Sequence, residues 1–416
     1  MRISFLLIIY SLALTALSQT HNIITVNVEN DAVRRYLSEV KYSVEDTSRV
    51  FDYNVPPPNR RDIPNPAIVP IPDADADELL LTYADNADFS EGVQAITLTK
   101  GTTEAAIYNL TPQRTYYYKV TAGDSTVSDG EIHTEGQVRM IYVPKANNIR
   151  DIGGWSTADG RRIKYGKLFR GSELNGLHDV DSAGIAILTE QLGIQAEINM
   201  RTTYEKEYNI SAFGFNFSSS GICDYPPCYL TYNSGQLPED LYTKMYLSRW
   251  KMEFHFIVNS LKRNRNVYFH CVWGGDRTGY LALFLEGLLG VDYDGLMKDY
   301  ELSSFYNGTR VKERIQPVMD SIMVLEGKTL QEKFNTFFIK KIGSLQSYVD
   351  YFRETMLEGV KGDDDSGFND PIVLRQNECY RPAAIYDLRG RKTGKSGKRG
   401  IVIEIDRDGT ARKIVR

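Results

Sequence analysis

The feature that most constrains this chain is an apolar segment interrupted by glycines, VYFHCVWGGDRTGYLALF, at Val267–Phe284. Its first apolar run predicts a buried strand ending at His270, and the apolar run that opens at Arg277 predicts a buried helix. Two adjacent glycines, Gly274 and Gly275, lie between them and allow the backbone to curl with its N–H groups pointing inward. The segment therefore predicts a strand, a tight loop and a helix within an α/β layer.

A loop of this kind binds a tetrahedral oxyanion, because several N–H donors and the positive end of the helix dipole converge there. The same field would stabilise a thiolate at Cys271, which would make this cysteine nucleophilic near neutral pH. Arg277 adds a planar guanidinium that can hold two phosphate oxygens. An inert packing cysteine would not explain the glycines, Asp276 and Arg277 arriving together. The substrate-binding part of the loop is expected to comprise Val272, Trp273, Gly274 and Gly275.

Helix and strand patterns alternate around this loop. DSAGIAILTEQLGI predicts a helix ending at Gly193, QAEINM a strand, and WKMEFHFIVNSL another helix. The apolar face of the last helix consists of Trp250, Phe254, Ile257, Val258 and Leu261. This alternation predicts an α/β domain over residues 140–360, with a mostly parallel central sheet flanked by helices.

The pattern His-Cys-x5-Arg-Thr-Gly resembles the signature of cysteine-dependent protein tyrosine phosphatases. The segments NNIRDIGGW, KLFRGSEL and EINMRTTYE precede it in that order. Together, from Asn147 to Tyr300, they resemble the bacterial atypical protein tyrosine and lipid phosphatases, a family with a secreted mycobacterial member. The resemblance implies a phosphoric monoester hydrolase that needs neither a metal nor an organic cofactor.

The resemblance also implies roles for individual residues. Cys271 would attack phosphorus and form a phosphocysteine, and Arg277 with the loop amides would stabilise the equatorial oxygens. Thr278 would donate a hydrogen bond to the thiolate and help it leave. Asp276 would protonate the leaving oxygen and later activate water, with Asp224 in GICDYPPCY as the rival general acid.

Charged and histidine residues at other positions of these motifs are expected to support the loop. His270 and Arg201 are expected to be structural. Arg150, Asp151 and Arg170 are substrate-binding candidates that would shape the pocket, or would instead brace the loop through ion pairs.

Two positions depart from the family pattern. Gly275 stands where the family has a lysine, so the loop carries one positive charge fewer, which favours phosphotyrosine or small phosphate esters over highly anionic inositol lipids. Asn199 stands where the family has an aspartate, so the role of that carboxylate would be absent or transferred.

The rest of the chain predicts further units. Residues 19–65 form an N-terminal lead-in with a short helix at DAVRRYLSEV, and residues 66–139 are β-like. Within the latter, LTPQRTY at Leu110–Tyr116 resembles the tyrosine corner of fibronectin type III sandwiches. After a polar linker at 361–380, the tail at 381–416 resembles the C-terminal sorting tails of the type IX secretion system of Bacteroidetes, the alternative being a small β-hairpin packed on the main domain.

The N-terminus predicts export. Residues 1–18 carry one arginine, an apolar run and small residues near ALS, as in a cleaved secretory signal peptide. No later segment is apolar enough to cross a bilayer, so we expect a protein of the periplasm, the cell surface or the medium. The formal net charge of −5 argues against a nucleic-acid partner.

The remaining cysteines and acidic residues carry weaker signals. Cys223 and Cys228 would form a small-loop disulfide or remain free thiols. The alternating carboxylates of Asp73–Asp77 indicate a solvated edge rather than a calcium site, and the cysteines and histidines show no metal-ligand spacing.

These observations predict a secreted phosphatase of phosphate monoesters, foremost protein phosphotyrosine. The alternatives are a phosphoinositide or inositol phosphate phosphatase, and a catalytically inactive phosphate-binding surface module.

Overall fold

The computed structural model describes residues 21–53, 62–74, 76–201, 210–214, 244–307 and 310–359, together with the backbone of 384–387, 401–405 and 411–415. The predicted signal peptide, the predicted linker, Cys223, Asp224, Cys228 and Cys379 lie outside these residues. The chain divides into two compact units, Met1–Asp363 and Asp364–Arg416.

The N-terminal part of the first unit contains two β-sheets that share one apolar core. Its strands are β1 (His21–Asn27), β2 (Ala67–Pro70), β3 (Glu78–Ala84), β4 (Gln94–Thr99), β5 (Glu104–Ile107), β6 (Thr115–Ala122) and β7 (Ser125–Glu135). One sheet has the order β1-β7-β6-β3-β4, and β2 pairs with β5 in the other. Tyr118 and Val120 of β6 and Val69 of β2 are buried in the same cluster, so inward-facing residues of both sheets build this core.

The segment that resembles a tyrosine corner contains a local hydrogen bond. The backbone amide of Thr111 donates a 2.9 Å hydrogen bond to the hydroxyl of Tyr116. The five-stranded sheet also takes up β1, which pairs in parallel with β7, although the sequence placed this stretch in the lead-in.

A separate sheet with both parallel and antiparallel pairs positions the cysteine loop. Its strands are β8 (Arg150–Asp151), β10 (Leu168–Gly171), β11 (Ile194–Asn199) and β12 (Asn266–His270). Strand β9 (Arg162–Ile163) is not part of this sheet and pairs with β13 (Leu357–Glu358). The order is β11-β12-β10-β8, with β12 parallel to both neighbours and β8 antiparallel at the edge. The predicted mixed α/β architecture with a mostly parallel sheet is confirmed.

Helices pack on this sheet and on one another. They are α1 (Asp31–Glu39), α2 (Ser182–Ala186), α3 (Lys244–Lys262), α4 (Arg277–Leu289), α5 (Tyr293–Leu302), α6 (Ser304–Asn307), α7 (Lys312–Met323), α8 (Leu330–Thr336) and α9 (Gln346–Met356). A π-helical turn extends α2 over Ile187–Gln191, a second π-helical turn covers Phe337–Lys341, and Val50–Asp52 form a 3-10 turn. Every residue of α4 is buried, because this helix lies between the sheet and the neighbouring helices, and it ends at Gly290 in a left-handed conformation. The predicted apolar face of α3 is buried in the same core.

The N-terminal lead-in packs into the core of the α/β domain. Tyr36 of α1 is fully buried, and its hydroxyl donates to the carboxylate of Glu301 on α5 at 2.7 Å. The hydroxyl of Tyr42 donates to the same oxygen at 2.5 Å. Burial raises the pKa of Glu301. Residues far upstream of the cysteine loop thus hold the helix that lies beside it.

The second unit contains a three-stranded antiparallel sheet of β14 (Ala384–Asp387), β15 (Ile401–Ile405) and β16 (Ala411–Val415). The tail that the sequence delimits at 381–416 therefore contains strands.

Candidate active site

Cys271 lies at the carboxyl end of β12, where the loop to α4 begins. It is a free thiol with 3% of its surface exposed. The loop bends tightly at Gly274, whose φ of +69° is a left-handed conformation. A Cβ atom at Gly274 would lie 2.4 Å from the backbone of Gly171 on β10, so only glycine fits this approach. The predicted strand, tight loop and helix are all found.

Three consecutive carbonyl groups of the loop are bonded by residues outside it. The backbone amide of Glu173 donates to the carbonyl of Val272 at 3.1 Å. The side-chain amide of Asn148 donates to the carbonyl of Trp273 at 3.1 Å, and the guanidinium of Arg170 donates to the carbonyl of Gly274 at 3.2 Å. Within the described part of the chain, the amides of residues 272–276 donate no hydrogen bond to another backbone group. With the carbonyls held from outside, the amide donors remain available at the N-terminus of α4, as an anion site requires.

A buried ion-pair cluster holds this loop from behind. Arg150 and Arg170 both bind the carboxylate of Asp299 on α5, Arg150 through its Nε at 2.9 Å. Burial, and then the charge of Arg150, lower the pKa of Arg170 to about 10, so Arg170 still carries its charge at neutral pH. Both arginines have no exposed surface. These buried ion pairs favour the alternative in which Arg150 and Arg170 brace the loop, and their assignment as substrate-binding residues stays a prediction.

Asp151, the third of these substrate-binding candidates, also lies away from the loop interior. Its carboxylate accepts hydrogen bonds from the amides of Gly153 at 2.8 Å and Gly166 at 2.6 Å, and lies 3.6 Å from Arg139. Burial raises the pKa of Asp151 to about 6. Successive residues of a strand point to opposite faces, so Asp151 faces away from its neighbour Arg150 and ties the loop after β9 to β8.

His270 is fixed by two contacts. Its Nε2 lies 2.7 Å from Glu197 on the neighbouring strand β11, and its Nδ1 lies 3.1 Å from the carbonyl of Cys271. The ring also stacks on Tyr268, with 5.4 Å between the ring centres. These contacts join β11 and β12 directly behind the nucleophile position.

Arg201 ties the ends of β10 and β11 together. Its guanidinium binds Glu173 at 3.1 Å and Asn199 at 3.0 Å. Asn199 therefore accepts hydrogen bonds where the resemblance implies a carboxylate, and Glu173 supplies the negative charge.

Arg277 and Thr278 open α4. Arg277 is 9% exposed, and one of its guanidinium nitrogens donates to the carbonyl of Met200 at 2.8 Å. The hydroxyl of Thr278 is buried and has no hydrogen-bond partner among the residues that the structure describes. That hydroxyl is available to a charge formed in the loop.

Asp276 is the residue that immediately precedes α4, and basic side chains surround it. One carboxylate oxygen lies 2.7 Å from Arg310, and the other lies 3.7 Å from Arg314 and accepts a 3.3 Å hydrogen bond from Tyr300. Arg310 also packs against Gly275. The loop itself has glycine at position 275, and a guanidinium from another segment lies beside it.

Trp273 lies at the surface of the loop with 37% of its area exposed. Its ring is stacked on Tyr306 with 6.4 Å between centres, and His178 meets it edge-on at 5.4 Å. These three rings form an aromatic rim beside the loop.

Several residues at the site were not singled out by the sequence analysis. They are Asn148, Glu173, Glu197, Glu286, Asp299, Tyr300, Arg310 and Arg314. Glu286 is fully buried, and burial together with the nearby Asp299 raises its pKa well above the ordinary value. The one usable signal was the presence of charged residues inside apolar helices, as in RTGYLALFLEGLLG, because a charge at a buried position needs a partner.

Within the described ranges, no three histidine, cysteine, aspartate or glutamate side chains lie together as metal ligands. No helix in those ranges combines the length and hydrophobicity needed to cross a bilayer.

Comparison with known proteins agrees with this geometry. Residues 141–359 match the model of the tyrosine phosphatase family. A protein of Cupriavidus necator named as a tyrosine-protein phosphatase is 28% identical over 165 residues, 37% of this chain and 59% of that protein. The triple specificity protein phosphatase PtpB of Mycobacterium tuberculosis is 28% identical over 228 residues, 44% of this chain and 77% of that protein.

The chain thus spans about three fifths of the Cupriavidus relative. The family match, in contrast, covers more than half of the 416 residues and contains β8, β10, β11, β12 and the complete cysteine loop. By this match the chain belongs to the tyrosine phosphatase family, a family of phosphoric monoester hydrolases.

Proposed function

We propose that this protein is a cysteine-dependent phosphatase that hydrolyses phosphate monoesters, foremost protein phosphotyrosine, through a phosphocysteine intermediate. The observation that carries the proposal is the loop from Cys271 to Arg277. Its carbonyls at 272–274 are held from outside, and its amides stand at the N-terminus of a buried helix. A phosphate group is the tetrahedral anion that suits such a ring of donors.

In the first step the thiolate sulfur of Cys271 attacks phosphorus, and the bond from phosphorus to the ester oxygen breaks. Arg277 and the loop amides stabilise the equatorial oxygens as charge develops on them. Asp276 gives a proton to the departing oxygen, which leaves as an alcohol or phenol.

In the second step a water molecule attacks the phosphocysteine. Asp276, now a carboxylate, accepts a proton from this water, and the bond from sulfur to phosphorus breaks. The hydroxyl of Thr278, which has no hydrogen-bond partner among the described residues, donates to the departing thiolate, and inorganic phosphate is released. The braces from Arg170 and His270 keep the loop in one geometry through both steps.

The aromatic rim supports phosphotyrosine as the substrate. Trp273 exposes more than a third of its surface next to the loop, and Tyr306 and His178 hold its ring in place. An aryl ring of a substrate gains contact area and edge-to-face interactions on such a surface. An alkyl phosphate would gain less.

The accessory segments complete the proposal. The N-terminal sheets act as a fibronectin type III-like sandwich, supported by the Thr111 to Tyr116 contact. The signal peptide at 1–18 and the strand-rich tail at 381–416 direct export. N-terminal sequencing and mass measurement of the protein from culture fractions would test export, and an intact N-terminus on intracellular protein would contradict it.

The test of the proposed chemistry replaces the nucleophile. Cys271→Ser is expected to lower hydrolysis of a phosphotyrosine peptide on the order of 1,000-fold or more, because it removes the covalent route. Cys379→Ser makes the same chemical change outside the loop and should retain the wild-type rate. Acid quenching should trap labelled phosphocysteine in the wild type and not in Cys271→Ser.

Two further outcomes would decide the alternatives. Faster turnover of inositol phosphates than of the peptide would move the substrate to the inositol class. Phosphate binding without turnover of any ester by the wild-type protein would leave only a binding module, and an unchanged rate in Cys271→Ser would refute the mechanism.

A further inference from the structure

Gly275 has no side chain at the place where Arg310 meets the loop. A Cβ atom at residue 275 would lie 2.3 Å from Nε of Arg310 and 2.8 Å from its Cζ. Both atoms belong to the guanidinium end of the side chain. The glycine therefore admits a cation from a segment 35 positions later in the sequence to the edge of the phosphate loop.

Arg310 is held in this position by its own backbone. Its amide donates to the hydroxyl of Ser304 at 2.8 Å, and its carbonyl accepts from the same hydroxyl at 2.5 Å. Its side chain is 9% exposed. A backbone anchored in this way limits how far the guanidinium can move from the loop.

Arg314 brings a second guanidinium to the same place from the first turn of α7. The two arginines converge on the carboxylate of Asp276, at 2.7 Å for Arg310 and 3.7 Å for Arg314. Arg314 is 29% exposed and Asp276 is 17% exposed, so solvent and ligands reach this edge of the site. Asp276 is thus an anion that both members of this pair bind within the described part of the protein.

We propose that Arg310 and Arg314 form a second anion-binding site at the edge of the loop, which takes a second negatively charged group of the substrate. The ligand class is a phosphate monoester with a carboxylate or a second phosphate close to the ester. The inference rests on the proposed phosphatase function and adds a determinant of specificity to it.

The chemistry of the pair fits this ligand class. A guanidinium presents a planar set of donors that matches two oxygens of a carboxylate or phosphate. Substantial burial of Arg310 reduces the screening of its charge by water, which strengthens its attraction for an anion. The second anionic group of the substrate binds Arg310 and Arg314 together with Asp276, or it displaces the carboxylate of Asp276 from them. In the second case this carboxylate moves toward the ester oxygen, which Asp276 is proposed to protonate.

The test uses matched aryl phosphates. The wild type is assayed with 3- and 4-carboxyphenyl phosphate, each against its neutral carboxamide analogue, and the ratio of kcat/KM values measures preference for the second charge. At least one carboxylate is expected to be preferred, mainly through a lower KM. Arg310→Gln and Arg314→Gln should each reduce that ratio by roughly tenfold, the value of one charge-assisted hydrogen bond. Lys119→Gln removes one positive charge from the N-terminal sheet and should leave the ratio unchanged.

A relocated cation provides the converse test. In the double variant Gly275→Lys with Arg310→Ala, the positive charge is carried by residue 275 of the loop. The preference for the carboxylate esters, which is lost when Arg310 is replaced, should then return. An unchanged ratio in both Arg310→Gln and Arg314→Gln, with the carboxamide esters still hydrolysed, would overturn the second anion site and leave the phosphatase function intact. A wild type that hydrolyses none of the four esters would instead overturn the proposed function and this inference with it.

Discussion

At the scale of single residues, the surroundings of each charged side chain decide what it can do. Arg170 and Arg277 are both close to the loop, but Arg170 is fully buried against Asp299, while Arg277 retains some exposure at the start of α4. Arg170 therefore holds the carbonyl of Gly274 from the buried side, and Arg277 is the one that we propose contacts the substrate. Asp276 is the carboxylate closest in sequence to Arg277, and it alone of the two predicted general acids lies in the described structure.

The first prediction concerns this acid. Asp276→Asn keeps a hydrogen-bond acceptor for Arg310 but cannot exchange a proton, so kcat for a phosphotyrosine peptide should fall by roughly 100-fold or more. The rate should also become more sensitive to the pKa of the leaving group across a series of aryl phosphates. Asp224→Asn serves as the control and should leave both quantities unchanged. The opposite pattern, with the large loss in Asp224→Asn, would assign the acid to the other segment.

At the scale of elements, the site is made where β12 ends and α4 begins. The strand is parallel to both of its neighbours, so the ends of β10 and β11 lie beside the loop and supply Glu173 and Met200. The close approach to β10 requires a residue without a side chain at Gly274. The shape of the loop therefore depends on the sheet as much as on its own glycines.

The second prediction tests this close approach. Gly274→Ala forces a Cβ atom onto the backbone of Gly171, so the loop must move, and kcat/KM should fall on the order of 100-fold. The control is Gly160→Ala, at a φ of +86° with no atom within 4 Å of the added Cβ. It should cost about 1–2 kcal/mol of unfolding free energy through its backbone conformation and leave kcat/KM unchanged. Equal activity of the two variants would contradict the packing argument.

At the scale of the whole molecule, the first unit contains several buried carboxyl groups. Burial raises the pKa values of Glu29, Asp151 and Glu301, and raises that of Glu286 well above its ordinary range. Glu29 lies in the N-terminal lead-in and accepts hydrogen bonds from the amides of Gln137 and Val138, where the chain enters the α/β domain. The pH dependence of stability therefore reports on how these segments pack.

The third prediction follows from Asp151, whose pKa rises from 3.8 to about 6 on folding. The folded state holds the proton more tightly than the unfolded state does. The stabilisation from this group is therefore complete below pH 3.8 and is lost as the pH rises through about 6. Between pH 4 and 7, the unfolding free energy of Asp151→Asn should therefore fall by about 2 kcal/mol less than that of the wild type, as measured by urea denaturation.

The control for this prediction is Asp159→Asn. Arg161 lowers the pKa of Asp159 to about 2, so its stabilisation is present above the unfolded pKa and disappears only as the pH falls toward 2. This variant should leave the slope between pH 4 and 7 unchanged. Parallel curves for the wild type and Asp151→Asn would contradict the raised pKa of Asp151.

The local structure of the site followed from the sequence alone. A strand, two glycines, Arg277 and an apolar helix are consecutive in the chain, and hydrophobic periodicity and glycine conformation act over a few residues. The same local rules predicted α1, the buried face of α3 and β11.

The tertiary structure decided which charges meet. Arg150 and Asp299 are 149 positions apart, and no periodicity links them, so only the fold shows that they form a buried ion pair. The same holds for Arg310 beside Gly275, and for the lead-in tyrosines that bind Glu301. Ion pairing and burial depend on distances through space, and these distances are set only when the sheet and its helices have packed.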